Sequence, residues 1–185
     1  MTYGIDIAGL HRELPLCRAS DTLMIAAFVI FGDVELTVAA AAALLEKAPE
    51  FDYLVAPEAK AIPLIHEMAR QSGRNEYFLT RKAKKLYMNG VFEAGVRSIT
   101  TVGEQKLYMD GADAAKLSGH RIALVDDVIS TGGSLRATEE LVLKAGGTIA
   151  ARLAILAEGV AAAERSDIIY LEALPLFDGE GRPIV

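Results

Sequence analysis

Thirteen consecutive residues, Ile122-Ala123-Leu124-Val125-Asp126-Asp127-Val128-Ile129-Ser130-Thr131-Gly132-Gly133-Ser134, hold the side chains best suited to chemistry. An apolar run delivers two adjacent carboxylates, a turn of hydroxyls and glycines follows, and a helical pattern then begins. The first amides of a helix lack intrahelical partners and carry partial positive charge, so they attract anions. Glycine lets backbone approach a ligand closely, and Ser130, Thr131 and Ser134 add hydroxyl donors, which together make a phosphate cradle. Asp126 and Asp127 would repel such a phosphate directly. They suit instead the hydroxyls of an attached sugar, or a Mg²⁺ ion. The stretch thus predicts a grip for a phosphorylated sugar with free hydroxyls. Capping by Asp and Ser explains each feature singly, but not the ordered series. Neither G-x-x-x-x-G-K-[ST] nor G-x-G-x-x-G after a strand occurs in the chain.

The elements that must position these residues follow from the apolar pattern. Asp52–Pro57, Glu76–Thr80, His120–Asp126, Thr148–Leu156 and Ile168–Leu174 read as strands. Ile62, Ile65 and Ala69 at helical spacing predict a helix that stops at Ser72-Gly73, with Pro63 tolerable in its first turn. Val38–Leu45 and Gly133–Ala145 read as two more helices, the second closed by Gly146-Gly147. Alternating strands and helices imply an α/β fold with a mostly parallel sheet flanked by helices. Ligands of such sheets sit beyond the carboxyl ends of the strands, which directs attention to residues just after Pro57, Thr80 and Asp126. Residues 83–110 break the pattern and predict a flexible loop, partly a two-stranded flap of Ser98–Val102 and Lys106–Met109.

The 185 residues suit one domain spanning 1–185, and the hydrophobic fraction of 52% suffices for its core. A net charge of −6 argues against nucleic acid as a partner. The single Cys17 cannot form an internal disulfide, which fits a reducing compartment, and it reads as a packed thiol. His11, His66 and His120 show no metal-ligand spacing. The longest plain apolar run, Leu23–Phe31, is too short to span a membrane, and Met1–Asp6 lacks the features of a secretory signal. A cytoplasmic protein is expected.

The thirteen-residue stretch resembles the phosphoribosyl-diphosphate-binding motif of type I phosphoribosyltransferases, and Asp52–Glu158 resembles their adenine phosphoribosyltransferase branch. That resemblance implies the type I fold, with a small hood from the chain ends, here about 14–32 and 169–177. It implies transfer of a 5-phosphoribosyl group from phosphoribosyl diphosphate to a purine base, with Mg²⁺ as cofactor and a homodimer as the working form. Asp126 and Asp127 would bind the ribose hydroxyls and the metal. Ser130, Thr131, Gly132, Gly133 and Ser134 would bind the 5′-phosphate. Glu58, Ala59 and Lys60 fall on the family's diphosphate loop, often E-A-R-G, where this chain has Lys60-Ala61 in place of Arg and Gly. Arg81 and Lys85 match a basic segment facing diphosphate, while Lys82 and Lys84 suit a solvated basic run. Glu104 and Tyr108 are candidates on the loop, and Glu158 is placed for the base edge. Phe28, Phe31 or Phe177 could stack on a purine. A dimer interface would fall near Leu64–Met68 and the basic segment Arg81–Leu86.

Adenine is the favoured base, with xanthine, hypoxanthine and guanine as alternatives. A non-catalytic regulator of the purine-repressor type would use the same fold without turnover, but no basic DNA-binding cluster precedes the core. A phosphate-accepting receiver domain fits less well, because its acids are not followed at once by a Thr-Gly-Gly turn.

Overall fold

The run carrying the acidic pair is the middle strand of a five-stranded parallel sheet in the computed structural model, which describes residues 1–96 and 105–184. The chain opens with β1 (Thr2–Ile7), β2 (Leu10–Arg18), β3 (Leu23–Ala26), α1 (Val34–Lys47), β4 (Tyr53–Pro57), α2 (Ile62–Gln71) and β5 (Phe78–Thr80). It continues with β6 (Phe92–Val96), β7 (Gln105–Met109), α3 (Gly111–Leu117), β8 (Arg121–Ile129) and α4 (Gly133–Lys144). The last elements are β9 (Thr148–Glu158), α5 (Val160–Glu164), β10 (Ile169–Leu174) and β11 (Phe177–Asp178). The central sheet has the order β10-β9-β8-β4-β5, each neighbouring pair parallel. Parallel neighbours need crossovers rather than tight turns, and α2, α4 and α5 supply them.

Side chains alternate between the faces of a strand, so each face of this sheet buries its own set. Leu54, Ala56, Ala123, Val125, Leu153 and Ile155 join Leu36, Leu44, Leu64 and Met68 of α1 and α2. Val55, Ile122, Leu124 and Ala154 turn the other way, into a cluster with Leu135 and Leu141 of α4 and Leu107 and Met109 of β7. Burial on both faces is why β8 reads as one continuous apolar run. The alanines of α1 have a packing reason too, since Ala40 and Ala41 are fully buried. Leu64, Ile65 and Met68 are equally buried within the chain's own core, and within Leu64–Met68 it is His66 that is exposed. Pro63 lies in the first turn of α2, as its missing N–H requires.

A second sheet, β1-β2-β3-β11, is antiparallel. Its first hairpin turns through Ala8 (φ 50°) and Gly9 (φ 80°), the positive pair that matches strand twist. This sheet begins at Thr2, earlier than the expected hood. Of 169–177, Ile169–Leu174 runs parallel to β9 as an edge of the central sheet, and Phe177 with Asp178 pairs with β3. Arg12 of β2 holds both carboxylate oxygens of Asp33, at 2.7 and 3.0 Å. Asp33 in turn accepts the Leu36 amide at 3.0 Å as the N-cap of α1.

The strand opposite Lys106–Met109 is Phe92–Val96, in a register from Phe92↔Met109 to Val96↔Gln105. Ser98–Val102 lies outside the described residues. The short α3 was not predicted, because Gly111 obscures its start. Cys17 is exposed rather than packed. Among the described residues, no helix is long and apolar enough to cross a membrane.

Candidate functional site

Four segments meet at the carboxyl edge of the central sheet: 58–61 after β4, 81–85 after β5, 130–134 after β8, and Glu158 at the end of β9. The turn after β8 lines a cleft of about 130 Å³ together with Val96, Asp126, Val128, Ile129 and Leu135. Gly132 takes the left-handed conformation (φ 70°, ψ 17°) as the first residue before α4, a shape that side chains resist. A Cβ there would also meet Arg165 Nη1 at 3.0 Å and Arg136 Nη1 at 3.2 Å. Among the described residues, the amides of Thr131 to Ser134 donate no backbone hydrogen bond outside regular elements, and the Arg136 amide is the first to return, onto the Gly132 carbonyl. The turn therefore presents unspent N–H groups beside the hydroxyls of Ser130, Thr131 and Ser134, the requirement for an anion cradle.

Both acids are buried, Asp126 at 9% exposure and Asp127 at 2%. The Asp127 amide donates to Asp126 Oδ1 at 2.9 Å. Burial, reinforced by the neighbouring Asp127 charge, raises the Asp126 pKa well above the ordinary carboxylate range. Asp127 Oδ2 lies 2.9 Å from Lys60 Nζ, an ion-pair distance, yet accepts no aligned hydrogen bond. Glu158, half-buried at the end of β9, also has a raised pKa because of burial, offset by the Lys60 charge. Lys60 thus faces three acids from the loop after β4.

The Glu58 carboxylate turns away from this cluster. Its Oε2 is 2.8 Å from Arg81 Nε, and its Oε1 accepts the Lys82 amide at 2.6 Å. The Arg81 Nε contact is an ion pair off the hydrogen-bond line. Arg81 and Tyr108 exchange backbone hydrogen bonds, both 2.8 Å, which tie the end of β5 to the β6–β7 hairpin. Lys85 lies further along the loop, its amide against Met88 sulfur at 3.4 Å. Glu104 lies outside the described residues. Phe28 and Phe177 are core residues, at 6% and 1% exposure, whereas Phe31 is 50% exposed. α1 leads through a short connection into β4, so its N-terminus, with Phe31 just before it, lies toward the carboxyl edge of the sheet.

A divalent cation here would find two adjacent carboxylates, and among the described residues no group of three acids, histidines or cysteines is placed to hold a metal. That donor set fits Mg²⁺, which is held by one or two carboxylates plus substrate oxygens rather than by a protein cage. Reading the sequence missed Val96 in the cleft wall and the arginines beside Gly132. Arg136 stands one helical turn from Gly132 and was legible in principle. Arg165 arrives from a different crossover and carried no local signal.

A sequence model of the phosphoribosyl transferase domain matches residues 34–175. The adenine phosphoribosyltransferase of Thermotoga petrophila is 37% identical over 109 residues, 59% of this chain and 60% of that protein. The hypoxanthine/guanine phosphoribosyltransferase of Methanohalobium evestigatum is 32% identical over 108 residues, 58% of this chain and 53% of its own. The matched segments thus span little more than half the length of these relatives. Among solved structures, the adenine phosphoribosyltransferase of Thermoanaerobacter pseudethanolicus aligns with a TM-score of 0.63 at 25% identity, over 76% of this chain and 80% of that one. The Giardia lamblia APRTase complexed with 9-deazaadenine shares the fold over 94% of this chain and 93% of its own, with a TM-score of 0.65 at 18% identity. With that domain matched over more than half of this chain and the parallel sheet and carboxyl-edge turn in place, the chain belongs to the phosphoribosyl transferase domain family.

Proposed function

We propose that the protein transfers the 5-phosphoribosyl group of phosphoribosyl diphosphate to a purine base, adenine preferred, releasing diphosphate and forming a nucleoside monophosphate. The observation that carries this reading is the buried pair Asp126-Asp127 running into a turn with unspent amides, flanked by Lys60 and Arg81 on neighbouring loops. A pentose phosphate laid along this edge rests its 5′-phosphate on Ser130–Ser134 and its ring hydroxyls on the acids. Its C1 substituent then points toward the cations.

In the reaction the bond from C1 to a diphosphate oxygen breaks, and the electron pair leaves with diphosphate. A base nitrogen forms the new bond to C1 and passes its proton to water. No protein nucleophile is needed; the protein must align the base and offset the charge that develops on diphosphate. Arg81 suits the second task because its planar fork can hold two phosphate oxygens, with Lys60 and Lys85 as point charges beside it. Mg²⁺, when held by Asp126 and Asp127, would add neutralisation of the diphosphate and ribose oxygens. The exposed ring of Phe31 offers the base an apolar face, and a Glu158 carboxylate offers an acceptor for the 6-amino group of adenine. The names of several relatives support adenine, and others name hypoxanthine/guanine or orotate, so the test must separate the bases. A homodimer is part of the proposal, supported by family resemblance and open to light scattering.

The deciding experiment mixes the protein with Mg²⁺, phosphoribosyl diphosphate and, in turn, adenine, xanthine, hypoxanthine, guanine, orotate and uracil. Diphosphate release with adenine is expected. Release with another base alone would transfer the assignment to that base, and tight sugar-diphosphate binding without any turnover would favour a non-catalytic regulator.

A further inference from the structure

We propose that Arg136 and Arg165 are positioning residues for the phosphate of the sugar: from outside the cleft they raise the positive potential of the Ser130–Ser134 turn and so set its affinity. That the anion is a sugar phosphate rests on the proposed function, but the affinity is read by binding alone. A Cβ built on Gly132 would meet Arg165 Nη1 at 3.0 Å and Arg136 Nη1 at 3.2 Å, so both guanidinium groups converge on one point of the turn. Neither side chain lines the cleft that the turn lines. Both border a neighbouring groove, together with Glu139, Arg152 and Asp167. Their charge is therefore felt through the turn rather than by contact inside the cleft.

For the protein alone this arrangement is unfavourable. Arg136 is the fourth residue of α4, and the first turn of that helix carries no acid. A helix N-terminus bears partial positive charge, so it favours carboxylates and is opposed by a cation. Arg136 is exposed and, among the described residues, has no ion pair. Arg165 arrives from the end of α5, its Nε and Nη2 held by the two carboxylate oxygens of Asp167 at 2.9 and 2.6 Å. That grip occupies one edge of the guanidinium and leaves Nη1 for Gly132. Asp167 is shared with Arg152, whose Nε lies 3.4 Å away, and Arg152 is held in turn by Glu139 of α4. A chain of ion pairs joining α4, β9 and the segment before β10 thus aims Arg165 at the turn while offsetting its charge only in part. Two cations and a helix N-terminus repel one another until an anion lies on the turn. A cost of this kind is tolerated where a ligand needs it.

The test is calorimetric binding of ribose 5-phosphate, without metal, to the full chain. Arg136→Gln and Arg165→Gln should each weaken it about fivefold, as expected for one unit charge removed from beside a solvated anion. Arg136→Lys and Arg165→Lys keep the charge and should stay within about twofold of the unsubstituted protein. The losses should shrink in about 0.5 M salt, where such fields are screened. Without ligand, Arg136→Gln should raise the melting temperature by about 2 °C, because a cation leaves a helix N-terminus. A residue that merely held the helix would lower it. In turnover, both glutamine variants should raise KM for phosphoribosyl diphosphate with kcat nearly unchanged. Unchanged ribose 5-phosphate affinity in both glutamine variants, equal losses in the lysine and glutamine variants, or a lower melting temperature for Arg136→Gln would each overturn the proposal. If ribose 5-phosphate responds as expected but no base is turned over, the proposed function fails while the role of the arginines stands. No binding of ribose 5-phosphate by the unsubstituted protein would overturn both.

Discussion

Asp126 is held in the place where a carboxylate is hardest to keep charged. It is buried, it adjoins Asp127, and both influences raise its pKa well above the usual range. A carboxyl whose folded pKa is raised adds stability only at low pH and loses it as pH rises through that folded pKa. At neutral pH the charge therefore costs the fold, a cost tolerated where a ligand needs it. Asp126→Asn keeps an oxygen for the Asp127 amide and should raise stability at pH 7 by about 1 kcal/mol while sugar-diphosphate binding is lost. Denaturant melts and calorimetry check both halves, and an unstabilised variant would count against the burial argument. Arg81→Gln should lower kcat/KM for phosphoribosyl diphosphate about 100-fold, the scale of one lost charge-stabilising donor, with its melting temperature nearly unchanged. A steady-state assay at several base concentrations measures it. At this scale the sequence marks the acids and the hydroxyl turn, because strand and turn are contiguous. It hides the Lys60–Asp127 contact and the turning of Glu58 toward Arg81, since both depend on which strands lie side by side. It also cannot separate Phe31 from Phe28 and Phe177, whose exposures follow from packing.

Among the elements, α4 and α1 show how local rules and distant partners combine. The turn into α4 needs Gly132 in a left-handed conformation. Gly132→Ala should cost about 1–2 kcal/mol through that conformation alone, since the Arg165 and Arg136 nitrogens that crowd its Cβ are ends of flexible side chains. A thermal melt reads that cost, and weaker phosphate binding should accompany it. The N-cap of α1, Asp33, serves two masters: the Leu36 amide and the Arg12 guanidinium. Asp33→Ala should destabilise the protein by about 1–2 kcal/mol, with Asp33→Asn recovering part of the loss because it still caps. The strands and helices of the central sheet were legible because burial on both faces makes their apolar runs continuous. The β1–β2 hairpin was not, since its strands mix exposed and buried positions and contain Pro15. Phe92–Val96, which pairs with β7, carries a weaker strand signal because Gly95 and Ala94 interrupt its β-branched and aromatic residues.

For the molecule as a whole, acid should be the main threat. Arg70 and Gln71 lower the Glu67 pKa to about 2. Arg12, Arg121 and Arg165 likewise hold Asp33, Asp52 and Asp167 below the usual carboxylate range. Groups of this kind stabilise the fold above their unfolded pKa and lose that contribution as pH falls through the folded value. Their contribution should hold above about pH 5, and melting temperature should decline as the pH drops toward about 2, where these lowered carboxylates take up protons. Glu67→Gln should flatten part of that decline, and an unchanged profile would show that the Glu67 partners contribute little. The general architecture was readable because the alternation of strands and helices repeats along the chain, whereas how the chain ends fold over the sheet depends on contacts between residues far apart, such as Arg12 with Asp33. That last contact has an experimental use. Because one carboxylate both fastens the antiparallel sheet and shields the Leu36 amide, loosening of that sheet from α1 should be felt as faster deuterium uptake at that single amide, a built-in reporter of local motion.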